Sequence, residues 1–247
     1  MGKHTSRTVR RAAAIAALAA VAGTAAPAAA DVVERIARVA GTSVHYKVVL
    51  PNDYDAAKEY PAILVMGGGP QTMNTIDGTL ERNFRAEAQR RGYLVFGVAA
   101  PDGELFFQGG ERVFPELLES LRSTYRVAGG KFHVAGPSNG GIAAMHVAAG
   151  NPDYFLSVTA FPGYLWRPSD SKLLALTKLC VYLYVGEHDE YRWHDEMRRE
   201  AEFLSSRGGV ARYTVEQGQP HRLETLAGAN ASRLFDGFEA TAQGCSR

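Results

Sequence analysis

Ser138 stands in Gly136-Pro137-Ser138-Asn139-Gly140, between an apolar run and a helix-like run of small residues. This is the Gly-x-Ser-x-Gly spacing in a strand–turn–helix setting. Such a turn forces the serine into a cramped backbone conformation. The residues two before and two after it then lie close together and must be small, as Gly136 and Gly140 are. The serine sits at the amino end of a helix, where the dipole favours developing negative charge. The plainer alternative is a strand-to-helix loop with a capping serine. The chemistry expected is attack of the hydroxyl on a carbonyl carbon.

A serine hydroxyl needs a base. The chain has seven histidines. His4 lies in the N-terminal stretch, and His45 and His133 belong to expected strands. His146 falls two turns down the helix, where packing is expected. His188 and His194 are candidates, but His221, in "EQGQPHRLETL", follows the last expected strand directly and is the expected base. The base in turn needs an acid to hold its tautomer. Asp189, in "VGEHDEYR", is the expected one, with Glu187 and Glu190 as rivals and Asp195 a weaker candidate. His188, Asp189, His194 and Asp195 could instead form a metal cluster, but no further ligand group stands out elsewhere, and no metal is expected. A tetrahedral oxyanion needs two backbone donors. Asn139, just after the serine, supplies one, and "MGGGPQT" supplies the other from Gly68, Gly69 or Gly67, since Pro70 has no N–H. No lysine follows at the spacing of a phosphate loop.

Alternating apolar strands and amphipathic helices position these residues. Strands are expected at 42–51, 61–69, 93–101, 131–136, 155–163, 179–189 and 211–218. Helices are expected at 79–92, 111–127, from about 139, at 191–209 and at 223–242. Continuous apolar strands between helices imply a mostly parallel sheet covered on both faces. Ligands of such sheets bind beyond the carboxyl ends of the strands, which is where Ser138, Asp189 and His221 fall.

The 247 residues are 46% hydrophobic and 21% charged, ordinary for a globular protein. Lys3, Arg7, Arg10 and Arg11, then the apolar "AAAIAALAAVAG", then "AAPAAA", have the layout of a signal peptide over 1–30. A single catalytic domain is expected over 31–247, secreted or periplasmic, monomeric, and without stable membrane association after cleavage. Removing residues 1–30 takes four cations and no anion from the 27 Lys+Arg and 26 Asp+Glu, which leaves a net charge of −3. That balance offers nucleic acid no electrostatic footprint. Cys180 opens an expected strand. Cys245 follows a closing helix that, at about 20 residues and 1.5 Å each, returns to the amino edge of the sheet. The two are expected to pair, as an oxidising compartment allows.

With the serine motif, the ordered acid and histidine and "VLPNDYDAAKEYPAILVMGGGPQT" together, the sequence resembles the α/β-hydrolase superfamily. Within it, the chain is similar to secreted esterases of the polyhydroxybutyrate depolymerase and feruloyl esterase kind. The resemblance covers about residues 42–240. It implies hydrolysis of carboxylic esters, small or at a polymer end, through an acyl-enzyme on Ser138 and without a cofactor. One departure is Met66, where such enzymes have a histidine before the oxyanion glycines. A peptidase of the prolyl-oligopeptidase type and a catalytically silent binding protein are the alternatives. Trp166 and Tyr191 are expected to bind substrate, among the loop aromatics Phe106, Phe107, Tyr164 and Trp193. The short stretch between 163 and 176 leaves no room for a large lid.

Overall fold

The computed structural model describes residues 1–2 and 32–245. The expected signal peptide's apolar stretch and cleavage site lie outside the described residues. Eight strands form one sheet: β1 (Val32–Val39), β2 (Thr42–Val49), β3 (Tyr60–Met66), β4 (Leu94–Val98), β5 (Val127–Gly136), β6 (Phe155–Ala160), β7 (Cys180–Gly186) and β8 (Val210–Glu216). Their order across the sheet is β1-β2-β4-β3-β5-β6-β7-β8. β2 runs antiparallel to β1 and β4, and the pairs from β4 through β8 are parallel. This is the α/β-hydrolase arrangement that the strand pattern implies.

Helices cover both faces. On one lie α3 (Phe114–Thr124), α4 (Asn139–Gly150), α5 (Asp170–Leu176) and α6 (His194–Ser206), with Leu117, Ile142, Leu173 and Met197 in a shared core. On the other lie α1 (Met73–Asn83), α2 (Arg85–Arg91) and α7 (Ser232–Ala242), burying Ile76, Leu80, Ala88, Phe235 and Phe238. α4 is buried from Gly140 to Ala149. That explains its run of small and aliphatic residues without an amphipathic stripe. Between β6 and β7 the only helix is the seven-residue α5, and no large lid is built.

Several boundaries differ from those expected. β1 precedes the first expected strand, joined to β2 by Ala40 and Gly41, both at positive φ (49° and 73°), as a tight hairpin turn requires. The helix expected at 79–92 is two helices. α1 begins at Met73 behind a Thr72 cap, and the chain breaks at Phe84, whose buried ring sits at φ −131° before α2. β5 starts at Val127, because Gly129 and Gly130 at positive φ form an irregularity that strand pairing absorbs. The closing helix expected over 223–242 is only α7; residues 224–226 and 228–231 are 3₁₀ turns instead, with Gly228 at φ 56°. Cys180 and Cys245 are nevertheless joined, with Cα atoms 5.7 Å apart at the amino end of β7.

Candidate active site

β5 ends at Gly136 and α4 begins at Asn139. Between them Ser138 is held at φ 55°, ψ −125°, a region a non-glycine residue occupies only under external constraint. The constraint is visible. Ser138 N–H donates to the Pro162 carbonyl at 2.8 Å, and Gly140 N–H to that of Pro137 at 2.8 Å. A Cβ on Gly136 would lie 2.5 Å from the Gly140 carbonyl carbon, and one on Gly140 would press into the Met66 carbonyl. The two glycines are therefore steric necessities of the turn.

The Ser138 hydroxyl lies 2.9 Å from Nε2 of His221, and His221 Nδ1 lies 2.9 Å from Oδ1 of Asp189. An ionised carboxylate only accepts, so Nδ1 carries the hydrogen and Nε2 presents its lone pair to the hydroxyl. Asp189 is buried, with a further bond from the Tyr191 N–H at 3.0 Å. The three residues thus form a continuous relay from a buried carboxylate to a hydroxyl in a cleft.

Glu190 and Glu187 have other work. Glu190 accepts from the backbone N–H of His221 at 3.0 Å, and Glu187 from that of Gly218 at 2.8 Å. Backbone N–H groups, its own and that of His221, hold the Glu190 carboxyl below its usual range. His188 N–H donates to the Gln219 carbonyl at 2.8 Å. The acid loop after β7 and the histidine loop after β8 are zipped together by these bonds. Asp195 pairs with Arg198. His194 turns Nε2 to the Gly186 carbonyl at 2.7 Å, so the four residues weighed as a metal cluster do not converge.

The glycine run after β3 comes up beside the serine. A Cβ on Gly68 would stand 3.3 Å from the Pro137 carbonyl and 3.7 Å from Ser138 Cβ, whereas Gly69, at φ 57°, has open space. Gly68 is thus the nearer partner for Asn139, whose N–H opens α4 and has no acceptor within its helix. With Met66 buried, the loop takes its support from Gln71 and Asn139. Gln71, fully buried, accepts from Phe106 N–H at 3.0 Å and donates to the Asn139 carbonyl at 3.2 Å. Asn139 Nδ2 donates to the Gly69 carbonyl at 2.9 Å. Sequence reading missed Gln71; its only signal is an amide just past the glycines.

The aromatics divide. Tyr191, exposed, and Trp193, half-buried, pack edge-on against the His221 ring at 4.5 and 4.9 Å, and Tyr164 packs edge-on against Trp193 at 5.2 Å. Trp166 does not line the serine cleft. It packs on Phe107 at 5.7 Å, lies under the Arg167 guanidinium and gives its carbonyl to His146 Nε2 at 2.6 Å. That hydrogen bond turns the loop residue towards α4. Phe106 is core. The cleft itself, about 420 Å³, is bounded by Gly68, Ser138, Phe161, Pro162, His221 and a face of α1.

Residues 107–237 match the Esterase family model, described as "Putative esterase". Among solved structures the chain is similar to the feruloyl esterase module of Clostridium thermocellum, solved with sinapinate, at 18% identity and TM-score 0.60, covering 78% of this chain and 82% of that one. It is also similar to an S-formylglutathione hydrolase from Agrobacterium tumefaciens at 16% identity and TM-score 0.62, covering 87% and 95%. The chain spans 55% of a thermostable esterase (14% identity, TM-score 0.60, 76% of this chain covered) and 36% of a Bacteroides ovatus structure titled a dipeptidyl aminopeptidase IV (16%, 0.67, 87%). At these identities the likeness is one of fold. The family match takes in Ser138, Asp189 and His221 and more than half of the sequence, and the chain belongs to the Esterase family.

Proposed function

We propose that the protein hydrolyses carboxylic esters through an acyl-enzyme on Ser138. The observation that carries this reading is the unbroken relay from Asp189 through His221 to Ser138, on a turn that aims the hydroxyl into an open cleft. Ser138 Oγ attacks the ester carbonyl carbon and its proton passes to His221 Nε2. Asp189 stabilises the imidazolium that forms. The oxyanion takes hydrogen bonds from the N–H groups of Asn139 and Gly68. Collapse expels the alcohol, which leaves with the proton from His221. Water, deprotonated by His221, then releases the acid and restores Ser138. Each backbone donor at the oxyanion is worth about 10²–10³ in turnover.

The basic and apolar start of the sequence supports export by a signal peptide, and the mature protein is read as a secreted or periplasmic monomer. A panel of p-nitrophenyl, feruloyl and polyester substrates, with a peptide amide alongside, tests the reading. Ester turnover that falls by about 10⁶-fold in Ser138→Ala is the expected result. A Ser138→Ala protein keeping a tenth of the wild-type rate overturns it.

A further inference from the structure

The cleft beside Ser138 is not lined evenly. Thr75, Thr79 and Arg82 project into it from α1, at spacings of four and three residues that place them on one helix face. Thr75 lies by the oxyanion loop: a Cβ on Gly67 would come within 2.9 Å of its Oγ1. Arg82 is two turns further on, about 10 Å along the axis. Phe161, Pro162 and Leu223 give the cleft apolar walls. The lining residues include two arginines, Arg82 and Arg222, and no carboxylate.

Arg82 is fixed where it stands. Its Nη2 lies 2.7 Å from Glu224 Oε1 and 3.3 Å from the Leu223 carbonyl, and its side chain is only 22% exposed. Next to it on the same helix the buried Asn83 donates to the Leu226 carbonyl at 2.7 Å, pinning the end of α1 to the segment after His221. Arg222 reaches the same carboxylate more loosely, with Nε 4.0 Å from Oε1. Two guanidiniums around one carboxylate leave one positive charge at the far end of a mainly apolar cleft.

We propose that the non-reacting arm of the ester carries a carboxylate, seated by Arg82 and Arg222 about two helix turns from the oxyanion loop. The inference rests on the ester-hydrolysis reading and adds to it a substrate class: esters whose arm is a flexible apolar chain with an anionic end. A guanidinium suits this role because its planar fork pairs with a carboxylate through two parallel hydrogen bonds. Glu224 holds Arg82 in place and competes with the substrate for it.

The test uses two pairs of esters matched in length. p-Nitrophenyl octanoate is compared with the mono-p-nitrophenyl ester of suberate, which puts the anion on the acyl arm. Octyl acetate is compared with the acetate ester of an ω-hydroxyoctanoate, which puts it on the alcohol arm. In one pair kcat/KM for the anionic member exceeds that for the neutral one by about tenfold, as for a partly buried charged pair. The ratio falls as salt rises, since the mouth is exposed to solvent. Arg82→Gln and Arg222→Gln lower it, and Arg82→Lys retains part of it. Glu224→Gln raises it by removing the competing carboxylate. Parity or a neutral preference in both pairs overturns the proposal, as does a ratio that neither Arg82→Gln nor Glu224→Gln moves. Failure on all four esters by a protein that turns over the feruloyl or polyester substrates also overturns the proposal; failure on those as well overturns the ester reading instead. Calorimetric binding of the monoamide of suberate against octanamide to the Ser138→Ala protein then reads the anion site alone, because only the former carries a carboxylate, and equal affinities reject it.

Discussion

Asp189 and Glu190, adjacent in the chain, hold the same histidine from two directions. Asp189 accepts from the His221 ring at Nδ1, 2.9 Å away, and Glu190 from the His221 backbone N–H, 3.0 Å away. One carboxylate sets the tautomer of the imidazole, and the other sets the position of the residue that carries it.

The two acids should separate cleanly in turnover. Asp189→Asn is expected to lower kcat on p-nitrophenyl acetate by about 10⁴-fold, through loss of tautomer and orientation. Glu190→Gln keeps an acceptor for the His221 N–H and is expected to cost only severalfold. Glu190→Ala releases the loop and is expected to cost about tenfold or more, since small misplacements are expensive in rate. A greater loss in Glu190→Gln than in Asp189→Asn would reassign the acid.

Gln71 is expected to act as a positioning residue. It ties the oxyanion loop to the start of α4 through the Asn139 carbonyl and satisfies the buried Phe106 N–H. In Gln71→Leu both bonds are lost at similar volume. kcat should fall by about 10²-fold with KM little changed, because the donors shift more than the binding walls. Stability should fall by about 1–3 kcal/mol for the unpaired buried N–H, read as a lowered Tm. Unchanged kcat alongside a lowered Tm would make Gln71 merely structural.

The serine turn was legible in the sequence because its requirements are local. A nucleophile that needs small residues on both sides leaves Gly136 and Gly140 as a mark, and the loop after each parallel strand is easily located. The role of Glu190 was not legible, since three carboxylates within four residues differ only in which way each side chain turns. Trp166 shows the same limit. It follows β6 by a few residues, as an active-site loop residue does, yet the His146 hydrogen bond to its carbonyl draws the loop the other way. The polar face of α1 was invisible for another reason. Thr75 and Arg82 precede or interrupt the apolar pattern by which the helix was placed, and the cleft exists only where α1 meets the segment after His221. Cys245 reaches Cys180 although α7, which precedes it, has 11 residues where the sequence pattern implies about 20.

The Cys180–Cys245 bond closes a chain separation of 65 residues. In the chain-entropy model such a loop contributes on the order of 4 kcal/mol. Cys180→Ser with Cys245→Ser should therefore lower Tm by many degrees. The bond lies at the amino edge of the sheet, opposite the catalytic loops, so kcat at 25 °C should be unaffected. Alkylation of the unreduced, denatured protein should modify no thiol. Two modified thiols, or a Tm unmoved by the double substitution, would refute it.

Two buried groups give stability opposite pH dependences. Burial pushes the Glu200 carboxyl up to about 7, although the Leu165 N–H at 2.8 Å favours its charged form. A carboxyl raised in the folded state contributes stability below its unfolded value, near 4.5, and that contribution is lost as pH rises through 7. Burial holds His133 down to about 3; its ring lies against Phe238 with Nδ1 2.7 Å from Ser157 Oγ. The unfolded chain takes up the proton first, so stability is lost as pH falls from about 6.5 towards 3. Between about 4.5 and 6.5 the two slopes oppose each other, and wild-type stability should be nearly flat as far as these groups govern it. The difference between Glu200→Gln and wild type isolates the carboxyl, because the amide still accepts from Leu165 N–H and never ionises. Measured by urea unfolding, that difference should move in favour of the variant by about 1.4 kcal/mol per pH unit from 4.5 to 7, and level off above. A difference that stays constant across this range would show that Glu200 titrates at its ordinary value.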